Sequence, residues 1–241
     1  MQLEGCIVLV TGAGRGIGRG LAAAFAEAGC GVAALARSVT ELNETCELVR
    51  KSGRRALALP CDVTDQGQVI EAVGAAESHF GQIDILINNA GYAHFQPFHE
   101  LPAEEWERTL DVNLTGPFHC IQAALPGMME RRAGRIINIS SLAGLKPYPE
   151  QSAYCAAKHG LNGLTKALAM ELREYNIGVH AICPGGIDTE LTRKAMPDRD
   201  KSDWMTPEDV AHAALYLARL SPRAATDELV LRRFDSPPLG G

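Results

Sequence analysis

Seven short runs of strand length, rich in β-branched and apolar residues and apolar on both faces, punctuate this chain: CIVLV from Cys6, GVAALA from Gly31, RALALPC from Arg55, IDILINNA from Ile83, RIINIS from Arg135, VHAICP from Val179 and ELVLRR from Glu228. Runs that are apolar on both faces belong to strands covered on both faces. Between them lie longer amphipathic stretches, GRGLAAAFAEAG, TELNETCELVRKSG and GQVIEAVGAAESHFG among them, with a helical period and mostly a glycine at the end. Six alternations of strand and helix predict an α/β fold, a doubly wound parallel sheet of seven strands, because right-handed crossovers return the chain over one face or the other. At 241 residues, 46% apolar, the chain can bury one substantial core. It carries no repeat or linker, so 1–241 reads as a single domain, with FDSPPLGG, 234–241, as a frayed or docked tail.

Charge and cysteine usage narrow the partners. With 23 Lys and Arg against 29 Asp and Glu and no dense basic run, nucleic acid and anionic membrane are poor candidates. The start, MQLEGCIVLVTG, lacks the basic end of a secretory signal, and no stretch reaches the roughly 18 apolar residues that span a bilayer. A soluble, cytoplasmic protein is expected. The seven cysteines form no C-x-x-C pair and several fall in apolar runs, which predicts reduced, buried thiols. The histidines form no H-E-x-x-H, so no metal site is expected.

TGAGRGIG, Thr11 to Gly18, follows the first strand and opens the first helix, where a diphosphate can meet the exposed N–H groups of a helix start. Such a strand-to-helix turn in a Rossmann-type sheet is a dinucleotide site. Gly12, Gly16 and Gly18 supply the useful spacing, with Gly14 and Arg15 between them. The usual G-x-G-x-x-G is not met, because Ile17 holds its third glycine position. At the end of the second strand an acid would accept from the ribose of NAD, but Ala36 is followed by Arg37 and Ser38, with no acid until Glu41. Arg37 and Arg15 together would bracket a 2′-phosphate, which favours NADP(H) over NAD(H). A solvated turn residue is the other reading of Arg37. Asp62 and Val63 fit an acceptor for the adenine amino group beside an apolar contact, although an isolated Asp after a strand is also a turn former.

YCAAK, residues 154–158, sets Tyr154 and Lys158 on one helical face. Alone, a packing tyrosine beside a snorkelling lysine would explain the pair. The ordered set TGAGRGIG, CDV at 61–63, NNAG at 88–91, Asn113 in DVNLTG, NISS ending at Ser141, YCAAK and PGGIDTE from Pro184 resembles the short-chain dehydrogenases/reductases, from Leu3 to about Leu217. The resemblance extends to the 3-oxoacyl-acyl-carrier-protein reductases. It implies Tyr154 as acid/base, Lys158 as its ammonium partner, Ser141 as the hydroxyl orienting the carbonyl and Asn113 as the residue completing a proton relay. Asn89, Ala90 and Gly91 match the segment under the cofactor's ribose and nicotinamide. Pro184, Gly185, Ile187 and Thr189 match the turn holding the carboxamide.

Hydride transfer to a ketone leaves an alkoxide that needs a proton. A phenol of pKa about 10 is a reluctant base, and a cation within about 4–6 Å lowers a pKa by about 1–3 units. Lys158 is therefore expected to depress the pKa of Tyr154. Tyr92, His94, Phe95, Leu142, Tyr148 and Gly186 are expected around a small carbonyl or alcohol substrate, such as a 3-oxoacyl thioester, beneath a short polar lid at 189–205. The resemblance implies a homodimer or homotetramer, and the unusual tail puts the tetramer in question. A dinucleotide-binding redox sensor and an epimerase or dehydratase using the same Tyr and Lys remain the alternatives. A serine hydrolase is disfavoured, since Ser141 lacks a G-x-S-x-G setting.

Overall fold

In the computed structural model, which describes residues 2–221 and 223–239, the expected sheet is present. Its strands are β1 (Ile7–Thr11), β2 (Gly31–Ala36), β3 (Ala56–Pro60), β4 (Ile85–Asn88), β5 (Gly134–Ile139), β6 (Ile177–Pro184) and β7 (Glu228–Leu231). All pair in parallel, in the order β3-β2-β1-β4-β5-β6-β7. The helices are α1 (Gly16–Glu27), α2 (Val39–Lys51), α3 (Gln66–Phe80), α4 (Ala103–Leu110), α5 (Gly116–Arg131), α6 (Ser152–Glu171), α7 (Glu190–Ala195) and α8 (Pro207–Arg219).

Alternation along β1 explains the two-sided apolar pattern. Val8 and Val10 join a core with Leu21 and Phe25 of α1, Leu42 of α2 and Leu217 of α8. Ile7 and Leu9 join the opposite core, with Val69 and Val73 of α3 and Ile121 and Met128 of α5. Each such fully buried side chain contributes roughly 1.5–3 kcal/mol of transfer free energy.

The elements end where side chains take over the backbone hydrogen bonds. The run IDILINNA stops being a strand at Asn88, because Thr11 Oγ1 accepts the N–H groups of Asn89 at 2.9 Å and Ala90 at 3.0 Å. The run from Glu228 stops at Leu231, where the chain turns away. There the Arg233 guanidinium pairs with Asp203 at 2.6 Å and that of Arg232 donates to the carbonyls of Phe234 and Ser236. Of the expected 234–241 tail, Ser236 is half-buried and Phe234 fully exposed, and Gly240 and Gly241 lie outside the described residues. The lid segment is pinned at its base, with Asp188 N donating to Met205 O at 2.9 Å and Met205 N to Gly186 O at 3.1 Å.

Five of the seven free cysteines are buried, and Cys6 and Cys155 are partly exposed. Burial pushes the Cys30 and Cys120 thiols up to about 12. No helix among the described residues is long and apolar enough to cross a membrane.

Candidate active site

Chain order reverses between β1 and β4, since β1 leads to β2 on one side and the chain returns on the other. In a parallel sheet that switch leaves a crevice at the carboxyl ends of the strands. Here it is a cleft of about 520 Å³ running from Arg37 past the glycine loop to Tyr154 and Lys158.

The glycine loop is shaped by two close approaches. Gly12 has φ +62°, and a Cβ there would lie 2.9 Å from Ala90 Cα. Gly18 sits on the Gly12 carbonyl, which any side chain would strike, and 2.6 Å from Asn89 Nδ2 by the same construction. Asn89 Nδ2 in turn donates to Thr11 O at 2.9 Å, tying the end of β4 to the loop. Gly18→Ala is therefore expected to lower stability by about 1–3 kcal/mol through overpacking and to weaken dinucleotide binding. A denaturant midpoint and a dinucleotide affinity equal to the parent's would contradict this packing. Thr11 and Gly18 support the loop from beneath, while Gly14, Arg15, Gly16 and Ile17 line the cleft.

The residues present fit a dinucleotide. Arg15, the N-cap of α1, makes no side-chain cap and the first turn holds no acid, so the helix start keeps its donors and its positive end for a diphosphate. Arg37 is 66% exposed at its side chain and stands 3.9 Å from Asp62. Asp62 Oδ1 also accepts from Thr64 N and Oγ1, so it is a turn former and a cleft residue at once. Arg15 is not free to join Arg37 as expected: it lies between Glu41 at 3.2 Å and Glu190 at 3.0 Å. Glu41 is a cleft residue that the strand-end argument passed over. Its position was readable from Ser38-x-x-Glu41, because Ser38 caps α2 by accepting Glu41 N at 3.3 Å.

At the far end, α6 presents Tyr154 and Lys158 one turn apart. Lys158 is 3% exposed, its Nζ donates to Ile139 O at 2.9 Å and it lies 5.6 Å from the Tyr154 ring centre. The expected electrostatics are corrected here. Burial pushes the Tyr154 phenol up to about 12, opposed by the Ser141 hydroxyl, and burial brings the Lys158 ammonium down to about 8. Desolvation, and not the neighbouring ammonium, sets the direction of the phenol's shift. Ser141 follows β5, and its Oγ accepts Ala143 N at 3.1 Å, leaving its own proton to donate.

Asn113 lies in a π-helical turn, Asp111–Thr115, joining α4 to α5. It is buried, and its Nδ2 donates to Tyr92 O at 2.7 Å and Thr109 O at 2.9 Å. The side chain thus positions Tyr92 from behind the cleft. Ala90, Gly91, Asp62, Val63, Pro184, Gly185, Ile187 and Thr189 all line the cleft, and Thr189 caps α7 by accepting Thr192 N at 3.4 Å.

A second chamber of about 390 Å³ opens on the other side of Ser141 and Tyr154, which border both spaces. Phe95 meets Tyr154 edge-on at 5.8 Å, and Leu142, Tyr148 and Gly186 lie in its wall as expected. Tyr92 belongs to the dinucleotide cleft, its hydroxyl donating to Glu105 at 2.6 Å. His94 lines neither space; its Nε2 meets Gln96 Oε1 at 2.9 Å. The lid brings an aromatic after all, since Trp204 stands over Gly186, 2.9 Å from where a Cβ would be. Side chains beyond β7 also reach the chamber, Arg232 and Arg233 and, from the tail, Leu239 among them.

The sequence profile of the short chain dehydrogenases matches residues 6–200. The D-β-hydroxybutyrate dehydrogenase of Rhizobium meliloti is 35% identical over 229 residues, 92% of this chain and 87% of that one. A 3-oxoacyl-acyl-carrier-protein reductase of Staphylococcus aureus is 36% identical over 232 residues, covering 92% and 94%. Among solved structures, carveol dehydrogenase from Mycobacterium avium in complex with NAD superposes with a TM-score of 0.90 at 28% identity, covering 96% and 98%.

Proposed function

From the premise that this chain belongs to the short-chain dehydrogenase/reductase family, we propose that it is an NADP(H)-dependent oxidoreductase acting on a carbonyl or secondary alcohol. The observation that carries the reading is the seam: Ser141 and Tyr154 border both the dinucleotide cleft and the second chamber. A bound nicotinamide supplies or takes the hydride. Ser141 donates to the substrate oxygen and fixes its distance. Tyr154, protonated at neutral pH with its pKa near 12, gives its proton to the oxygen as the carbonyl carbon is reduced. Lys158, held against Ile139 O, stabilises the resulting tyrosinate.

NADP(H) over NAD(H) is supported by Arg37, which stands exposed at the mouth of the cleft to meet a 2′-phosphate, while Arg15 stays with Glu41 and Glu190. Glu41 and Asp62 act against that phosphate, so Arg37 carries the preference. Arg37→Asp is expected to shift the NADPH to NADH selectivity toward NADH by about tenfold or more, the worth of a charge-assisted hydrogen bond. Parallel titrations with both dinucleotides check it, and unchanged selectivity removes the NADP assignment.

A 3-oxoacyl thioester is the substrate suggested by the similarity to the Staphylococcus aureus reductase. Turnover of a ketone panel including acetoacetyl thioesters tests both it and the reaction type. The intact Tyr154–Lys158 pair speaks against a sensor without turnover. A homodimer or homotetramer through α5 and α6 fits the exposure of Phe118 and Met170 there. Seven free thiols fit a reducing compartment, the cytoplasm.

A further inference from the structure

The chamber beyond Tyr154 is positively charged although the whole chain carries a net charge of -6. Lys146, Arg199, Arg232 and Arg233 line it against a single acid, Asp200. Two of the cations are engaged. Arg233 pairs with Asp203 at 2.6 Å, and Arg232 donates to backbone carbonyls of the tail, that of Phe234 at 3.0 Å. Asp200 accepts Ser202 N and Oγ, each at 3.0 Å, which keeps it ionised and bonded within its own loop.

Lys146 and Arg199 form no ion pair among the described residues. Lys146 follows the turn that begins at Ser141, and its ammonium stands 5.3 Å from the Tyr148 ring centre. Arg199 comes from the lid. The rest of the wall includes Phe95, Leu142 and Trp204, while Arg199 itself is exposed and so reachable by an arriving anion.

We propose that the substrate carries an anionic group, a carboxylate or a phosphate, held by Lys146 and Arg199 while its carbonyl reaches Ser141 and Tyr154. The proposal rests on the oxidoreductase reading for the carbonyl end only. The anion's binding is measured apart from turnover. One source of such a group is a short oxo- or hydroxy-acid; the other is the phosphate of a pantetheine-bearing thioester.

The test uses the protein loaded with NADPH and reads the fluorescence of Trp204 in a Trp106→Phe background, these being the two tryptophans of the chain. Butyrate is titrated against methyl butyrate, and phosphopantetheine against pantetheine. At least one anion is expected to bind about tenfold or more tighter than its neutral counterpart, and Lys146→Gln with Arg199→Gln to remove that preference. Lys146→Arg is expected to keep it. An NADPH affinity equal to the parent's certifies that the double variant is folded, both positions lying outside the cores. The carboxylate arm responding alone identifies an acid substrate, and the phosphate arm alone a carrier-borne one. Equal binding of anion and neutral in both arms, or a preference surviving in the double variant, overturns the proposal. Turnover of acetoacetate and methyl acetoacetate is followed alongside. Anion preference with no turnover of these two or of any ketone in the panel, acetoacetyl thioesters included, leaves the anion site standing and removes the oxidoreductase reading; turnover without anion preference does the reverse.

Discussion

Tyr154→Phe is expected to bind NADPH as the parent does and to reduce any carbonyl substrate about 10²- to 10⁴-fold more slowly, the range that a positioned acid/base contributes. The substitution removes one oxygen and leaves the ring, so the edge-on contact with Phe95 at 5.8 Å is kept. The hydroxyl lost is one whose ionised form desolvation already penalises, and no backbone group among the described residues depends on it. Residual turnover comes from the positioning of carbonyl and nicotinamide and from Ser141, which still donates to the substrate oxygen. Stopped-flow NADPH oxidation with a dinucleotide titration separates the two effects. A kcat within a few-fold of the parent's would take the acid role from Tyr154, and a lost NADPH affinity would mean that the phenol holds the cofactor.

Fold and site were legible to different depths. The strands could be read because both faces of the sheet are covered, so that Ile7 through Thr11 are buried at successive positions. The glycine loop and the Tyr154–Lys158 pair could be read because each rests on local spacing. What spacing could not give was burial. Four residues apart on a helix predicts a phenol depressed by its ammonium, whereas the surrounding packing desolvates both groups, raising the phenol's pKa and lowering the ammonium's. Long-range partners were also out of reach. Arg15 lies between acids 26 and 175 positions further on, Glu41 and Glu190, and no local pattern joins it to α7. The tail's place over the chamber depends on Arg233 meeting Asp203 across 30 residues, between two segments without periodicity. His94 was grouped with its neighbours by proximity in sequence, but Gln96, two residues on, takes its ring nitrogen.

Lys158→Met is expected to slow reduction about 10- to 1000-fold, corresponding to the 1–3 pKa units by which a neighbouring cation stabilises a developing anion, while leaving the fold at least as stable at pH 7. The ammonium is buried, and its pKa falls from 10.5 to about 8 because the fold penalises its charge. That displacement amounts to about 3 kcal/mol of destabilisation at neutral pH. Methionine fills a similar volume without charge. Its cost is the hydrogen bond to Ile139 O, whose loss leaves a buried carbonyl worth about 1–3 kcal/mol. The pH dependence separates this account from simple packing damage. Between pH 8 and 10.5 the unfolded chain holds the lysine proton and the folded chain does not, so the unfolding free energy of the parent rises with pH across that window. The variant lacks this rise, and its advantage over the parent should shrink from pH 7 to pH 9.5. Over the same interval the parent's reductive rate should fall as Lys158 loses its proton, Tyr154 remaining protonated up to about 12. The variant's rate should stay flat. Denaturant midpoints and pH–rate profiles of the two proteins give both readings, and a high-pH limb retained by Lys158→Met would assign that titration to another group.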